Sequence, residues 1–68
     1  MKEIMTFKYE IVAKGGIPTW NKNSVHSFQN PVHVGEIVKI GEAGSKLLEV
    51  TSVEHYPNVS VLYFVEAE

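Results

Sequence analysis

The chain has 68 residues, enough for one small domain with a single hydrophobic core, and we therefore treat residues 1–68 as one domain. Its six basic residues are all Lys, its eight acidic residues are all Glu, and the formal net charge is −2 at pH 7. Because Cys is absent, disulfides, thiolate metal centres and thiol nucleophiles are excluded. A domain of this size has little core in which to enclose a substrate pocket, so we expect a protein that is not an enzyme.

The first predicted element is a strand over residues 5–13, in which the side chains alternate with period two. One face of this strand carries Met5, Phe7, Tyr9, Ile11 and Ala13. The opposite face includes Lys8 and Glu10, so we predict a half-buried strand. Gly15 and Gly16 end it, because glycine weakens the interior of a strand and suits a turn.

Residues 15–31 form a long loop that is unusually apolar. The segment has the Gly, Pro, Asn and Ser residues that are typical of turns. Its large apolar residues are Ile17, Trp20, Val25 and Phe28. Loops of this length in compact domains usually either pack on themselves or bind a partner. We also predict a short additional strand near residues 24–28.

The rest of the chain predicts three consecutive strands, over residues 32–40, 46–53 and 59–66, joined by short turns. In the first of them, Gly35 is expected to mark a turn or a bulge, after which Ile37 packs inward. In the second, Val53 is out of phase with Val50, so a bulge near Ser52 is expected to switch the faces. The last strand is apolar on both faces, which indicates either a central strand or a surface shared by a homodimer. Four to five short antiparallel strands without a helical stretch predict an all-β small barrel, with a long loop after the first strand.

A sequence pattern in the second half of the chain resembles a known class of small barrels. Residues 31–40 read P-x-x-V-G-E-x-V-x-I, and residues 50–55 read V-x-x-V-x-H. This pattern resembles one found in small SH3-like β-barrel proteins, many of them from phages and other mobile elements. The resemblance covers mainly residues 31–55 and implies an SH3-like barrel of phage or mobile-element origin. Its positions are mostly structural, so it implies fold more than function.

Potential metal and phosphate sites are few. The only histidines are His26, His33 and His55, at intervals of seven and twenty-two residues, which match no zinc signature. Residues 41–46 lack the spacing between glycines and the Lys-Ser order of a phosphate-binding loop. We therefore expect no metal, no cofactor and no catalytic residue.

Binding to RNA or single-stranded DNA is the alternative function, because small barrels often bind nucleic acid on an aromatic and basic face. Lys8, Lys14 and Lys22 could share a surface near the long loop. However, Arg is absent and the six Lys residues are scattered along the chain. Since phosphate contacts dominate such affinities, we favour a protein partner over a nucleic acid.

We predict that the loop over residues 15–31 recognises that protein partner. Trp20 is expected either to cap the open end of the barrel or to act as an aromatic anchor in the contact, where Trp is enriched. The predicted binding residues are Trp20, with Ile17, Val25 and Phe28 as its apolar surround, Asn21 and Lys22 in the polar rim, and His26. With no apolar run of about 20 residues and no apolar segment at the amino terminus, we expect no membrane contact and a cytoplasmic location.

Overall fold

The computed structural model describes residues 6–67, and it confirms an all-β fold. Met5, which was predicted on the apolar face of the first strand, lies outside the described residues. The strands are β1 (Phe7–Ala13), β2 (Val25–Phe28), β3 (Ile37–Ile40), β4 (Lys46–Glu54) and β5 (Ser60–Glu66). Two single 3-10 turns, Lys22–Ser24 and Glu42–Gly44, precede β2 and β4. The additional strand within the long loop is thus confirmed as β2.

The five strands form one curled half-barrel sheet with the order β2-β1-β5-β4-β3. Strands β3, β4 and β5 form the predicted antiparallel meander, and β2 pairs with β1 in the antiparallel direction. The prediction of antiparallel strands is wrong for one pair, because β1 and β5 run parallel. A parallel pair requires a connection of about a dozen residues or more, and residues 14–59 provide a far longer one through β2, β3 and β4.

The hydrophobic core lies on one face of this sheet, which we call the core face. Its buried centre consists of Tyr9, Val32, Val38, Val50 and Leu62. Around this centre pack half-buried side chains from all five strands, namely Phe7, Ile11, Phe28, Ile40, Val53 and Phe64. Period two in β1 identified the core face at Phe7, Tyr9 and Ile11, which all contribute to it. The prediction is wrong at the end of the strand, where Ala13 is exposed and Val12, on the opposite face, is buried.

Two irregularities adjust which residues reach the core face. The register of β4 against β5 shifts between Val50 and Ser52, so that Val50 and Val53 both pack inward although their spacing is odd. Gly35 adopts a φ of 92°, as expected of a turn, and donates its backbone N–H to the oxygen of Val50 at 2.9 Å. The predicted packing of Ile37 is wrong, because this side chain lies on the opposite face and is 50 % exposed.

Strand β5 is apolar on both faces because it is the central strand of the sheet. Val61 and Leu62 point to opposite faces and both have no exposed surface. Val65, near the end of the strand, is 36 % exposed. The burial of β5 within one chain explains its composition, and a homodimer stays a prediction. Among residues 6–67, no helix is long and apolar enough to cross a membrane.

Candidate functional site

The face of the sheet opposite the core, here called the outer face, carries a buried carboxylate. Glu10 is only 2 % exposed, although β1 alternation places it away from the core. Its Oε2 accepts a hydrogen bond from the backbone N–H of Thr19 at 2.8 Å, and its Oε1 accepts one from the backbone N–H of Trp20 at 2.7 Å. The first part of the long loop therefore folds back over the outer face and is fastened there by one side chain.

The turn after β1 makes this return possible. Gly15 has a φ of 86°, and the backbone N–H of Gly16 donates to the oxygen of Ala13 at 2.8 Å, which reverses the chain. The reversed segment brings Thr19 back to Glu10, which precedes it by nine residues in the sequence. Ionised carboxylates form stronger hydrogen bonds with backbone N–H groups than neutral acceptors do, so this contact fixes the loop backbone.

Trp20 is held in an unusual backbone conformation while its ring stays accessible. Its φ is 57°, which is uncommon for a residue other than glycine, and its side chain is 52 % exposed. The indole meets the ring of Tyr56, from the turn between β4 and β5, at a centroid distance of 5.1 Å and an interplanar angle of 86°. We call this pair the aromatic corner. Trp20 is therefore not a buried cap of the barrel.

A second carboxylate supports the aromatic corner. The Oε1 atom of Glu54 accepts hydrogen bonds from the hydroxyl groups of Tyr56 at 3.1 Å and Tyr63 at 3.2 Å. The hydrogen bond to Glu54 is the main cause that raises the pKa of Tyr56 above its ordinary value. For Tyr63, partial burial is the main cause of a raised pKa, and the Glu54 hydrogen bond adds to it. A phenol is protonated at neutral pH even at its ordinary pKa near 10, so both hydroxyl groups can donate to Glu54.

An open groove of about 500 Å³ adjoins this cluster on the outer face. Its lining consists of Lys14, Gly15, Gly16, Thr51, Ser52, Glu54 and Tyr63. The groove therefore connects the glycine turn after β1 with the two tyrosines that share Glu54. A second open groove, of about 590 Å³, lies between the segment after β2 and strand β3, and Phe28, Val32 and Val38 are among its lining residues.

The structure divides the predicted binding residues between the two faces of the sheet. Ile17 is 82 % exposed, and Asn21 and Lys22 are exposed beside Trp20 along the chain. Asn21 also fixes the local turn, since its Oδ1 accepts the backbone N–H of Asn23 at 2.9 Å. These residues and Trp20 form an exposed tip of the loop, which we call the loop tip (residues 17–22).

The remaining predicted residues belong to β2 and are half-buried. Val25 pairs with Glu10 across β1 and β2, which places it on the outer face. Phe28 packs on the core face, with its ring 5.9 Å from that of Tyr9, and so does not surround Trp20 as expected. His26 lies opposite Tyr9, and its buried Nδ1 has no hydrogen-bond partner among the described residues. The strand pairing of β2, which the sequence did not specify, separates these side chains.

Sequence reasoning did not find the contributions of Glu10, Glu54 and Tyr63 to this site. Glu10 appeared to be an ordinary polar residue of a half-buried strand, and no local pattern shows that a loop will cover it. One signal was present, because Gly15 and Gly16 permit the chain to turn back over the strand that precedes them. The pairing of Tyr63 and Glu54 depends on the register of β4 and β5 and on its bulge.

The other candidate groups stay apart in the structure. Among residues 6–67, no three His or Glu side chains are grouped in a way that could hold a metal ion. Lys8 and Lys14 are six residues apart on and after β1, about 20 Å along an extended strand, too far to contact one phosphate. Compared with known protein families, curated proteins and solved structures, the chain matches none of them.

Proposed function

We propose that the protein is a non-catalytic binding protein that recognises a protein partner through the long loop, with Trp20 as the anchor. The observation that carries this proposal is the hydrogen bond from the Trp20 N–H to buried Glu10. This bond fixes the backbone of Trp20, while the side chain of Trp20 is still 52 % exposed. A buried carboxylate is costly unless it is hydrogen-bonded, and here its bonds go to the base of the loop tip.

The geometry of the loop tip supports binding rather than a purely structural role. A positive φ outside glycine costs on the order of 1 kcal/mol or more, and such residues cluster at functional sites. Fixing an aromatic side chain before a partner arrives lowers the conformational entropy lost on binding. Trp and Tyr are also enriched among the residues that dominate protein–protein affinity, and Ile17 extends the apolar surface beside them.

Charge favours a protein partner over a nucleic acid. The aromatic corner stands beside the exposed carboxylate Glu54, which would repel phosphate groups. Lys8 lies near the start of β1 and Lys14 directly follows its end, about 20 Å away along an extended strand, so the two do not form one basic patch. If the protein nevertheless bound a 20-residue oligonucleotide with an affinity that fell steeply between about 50 and 200 mM salt, the nucleic-acid alternative would replace this proposal.

The experiment is an affinity capture from a lysate of the source cells with three purified proteins: wild type, Trp20→Ala and Ile37→Ala. Ile37 is the matched control, because it is an apolar outer-face side chain that is 50 % exposed but lies on β3. We expect one protein to be recovered by wild type and Ile37→Ala and to be at least about 10-fold depleted with Trp20→Ala. Equal recovery by all three proteins would contradict the proposal.

The fold of each variant is checked by circular dichroism before capture. If Trp20→Ala is not folded, Ile17→Ser takes its place, since Ile17 is 82 % exposed and its replacement should leave the fold intact. A phage or mobile-element origin, an SH3-like relationship and a cytoplasmic location stay predictions that accompany this proposal.

A further inference from the structure

We propose that the aromatic corner and Glu54 together bind a Lys or Arg side chain from a basic segment of the protein partner. This inference rests on the proposed function and specifies the chemistry of the partner.

The two rings provide a surface suited to a cation with an apolar stem. Trp20 and Tyr56 meet at 86° and are 52 % and 44 % exposed, so the corner they form is open to solvent. A cation within about 6 Å of an aromatic centroid is attracted by the negative face of the ring, most strongly by Trp. The methylene stem of Lys or Arg can at the same time pack against the exposed ring surface.

Glu54 supplies the matching negative charge. Its Oε1 is already engaged by Tyr56 and Tyr63, whereas its Oε2 receives no hydrogen bond from any residue in the described part of the chain. The two phenols hold the carboxylate in place, so the free oxygen is oriented before a ligand arrives. An ordered carboxylate beside an aromatic surface is a favourable partner for an ammonium or guanidinium group.

Among residues 6–67, no basic side chain pairs with this charge. Within residues 6–67, no Lys nitrogen lies within 4.0 Å of the carboxylate of Glu54 or of Glu10, and the contact found at this range joins the imidazole of His33 to Glu36. Lys14 lines the same groove as Glu54 without forming an ion pair with it. Charge complementarity therefore favours a basic segment of the partner over an acidic segment or a nucleic acid.

The test uses the fluorescence of Trp20, which is the only tryptophan of the chain and lies in the proposed site. The wild-type protein is titrated with N-acetylarginine amide and with N-acetylcitrulline amide, a neutral analogue of nearly the same shape. We expect the arginine derivative to reach half-saturation at a concentration at least about 5-fold lower than the citrulline derivative. We also expect added NaCl to weaken binding of the arginine derivative.

Two variants separate the role of Glu54 from general electrostatics. Glu54→Gln removes the charge but keeps an oxygen that can accept the tyrosine hydrogen bonds, and we expect it to reduce the preference for arginine over citrulline to near unity. Glu49→Gln is the matched control, because Glu49 is an exposed carboxylate on the same strand, β4. We expect it to retain the preference.

The proposal is overturned if citrulline binds as well as arginine, or if Glu54→Gln and Glu49→Gln behave alike. These failures differ from a failure of the proposed function. A protein whose capture depends on Trp20 but not on Glu54 would leave partner recognition in place and overturn only the cation site. Conversely, arginine binding without any captured protein that depends on Trp20 would support the cation site and contradict the proposed function.

Discussion

Two adjacent residues of β1, Tyr9 and Glu10, show how differently the two faces of the sheet are built. Both are almost fully buried, at 3 % and 2 % exposure. The Oη of Tyr9 accepts the N–H of Val32 at 3.0 Å from within the apolar core, whereas Glu10 accepts two loop N–H groups on the outer face. One strand therefore fastens both ends of the long loop. At Tyr9 the hydrogen bond lies within the apolar core, whereas at Glu10 a carboxylate accepts two backbone N–H groups opposite the buried Val61.

The largest effect is expected on the core face. Leu62→Ala removes a side chain with no exposed surface, so we expect the free energy of unfolding to fall by about 2–5 kcal/mol because the transfer energy is lost and a cavity is left. Urea unfolding followed by circular dichroism measures the change. Val65→Ala, on the same strand but 36 % exposed, is the control and should cost less than about 1 kcal/mol. Equal losses of stability in Leu62→Ala and Val65→Ala would show that Leu62 does not belong to the buried core.

On the outer face, Glu10→Ala should lower the free energy of unfolding by about 1–3 kcal/mol, because two backbone N–H groups lose a charged acceptor. Glu49→Ala makes the same chemical change at an exposed position of β4 and should lie within about 0.5 kcal/mol of wild type. Both values come from urea unfolding. If Glu10→Ala lowered the free energy of unfolding no more than Glu49→Ala does, the hydrogen bonds of Glu10 would not stabilise the outer face.

A smaller effect is expected for Tyr9→Phe, which keeps the ring in the core but leaves the N–H of Val32 without its acceptor. We expect a loss of about 1–2 kcal/mol, since an unsatisfied buried donor costs more than a typical hydrogen bond contributes. Tyr63→Phe removes a phenol that bonds to the exposed carboxylate of Glu54, and it should cost less than Tyr9→Phe. Thermal unfolding compares the two variants. A lower midpoint for Tyr63→Phe than for Tyr9→Phe would show that the buried hydrogen bond of the core face is not the more stabilising of the two.

The smallest expected effect concerns the titration of Tyr56. Because the pKa of this phenol is raised in the folded chain, it stabilises the fold below the ordinary value near pH 10, and that contribution is lost as pH rises through the folded pKa. Glu54→Ala removes both the hydrogen bond and the charge that raise it, so the pKa of Tyr56 should fall toward its ordinary value. The pKa of Tyr63 should change less, because partial burial is its main cause. Spectrophotometric titration, with tyrosine variants to assign each transition, measures both.

The same two faces explain what could be predicted from the sequence. The alternation through Phe7, Tyr9 and Ile11 identified the core face, because a side-chain period of two has a direct geometric meaning in a strand. The bulge near Ser52 was also predicted, since Val50 and Val53 cannot both face inward without one. These features depend on neighbouring residues along the chain, and local pattern is sufficient to find them.

The outer face could not be predicted in this way, because its contacts join distant segments. The bond from Trp20 to Glu10 spans ten residues and depends on a chain reversal at Gly15 and Gly16. The contact between Trp20 and Tyr56 depends on the parallel pairing of β1 with β5, which sequence alternation does not specify. Trp20 was predicted as an anchor by residue type alone.

Glu10 fixes the backbone of the loop tip while Trp20 stays exposed. This arrangement is tested by amide hydrogen exchange measured by NMR at Thr19 and Trp20, in wild type and in Glu10→Ala. We predict that both amides are protected in wild type and that Glu10→Ala reduces their protection by at least about 10-fold, a change of about 1.4 kcal/mol, beyond any change at the core amide of Leu62. Unprotected Thr19 and Trp20 amides in the wild-type protein would contradict the claim.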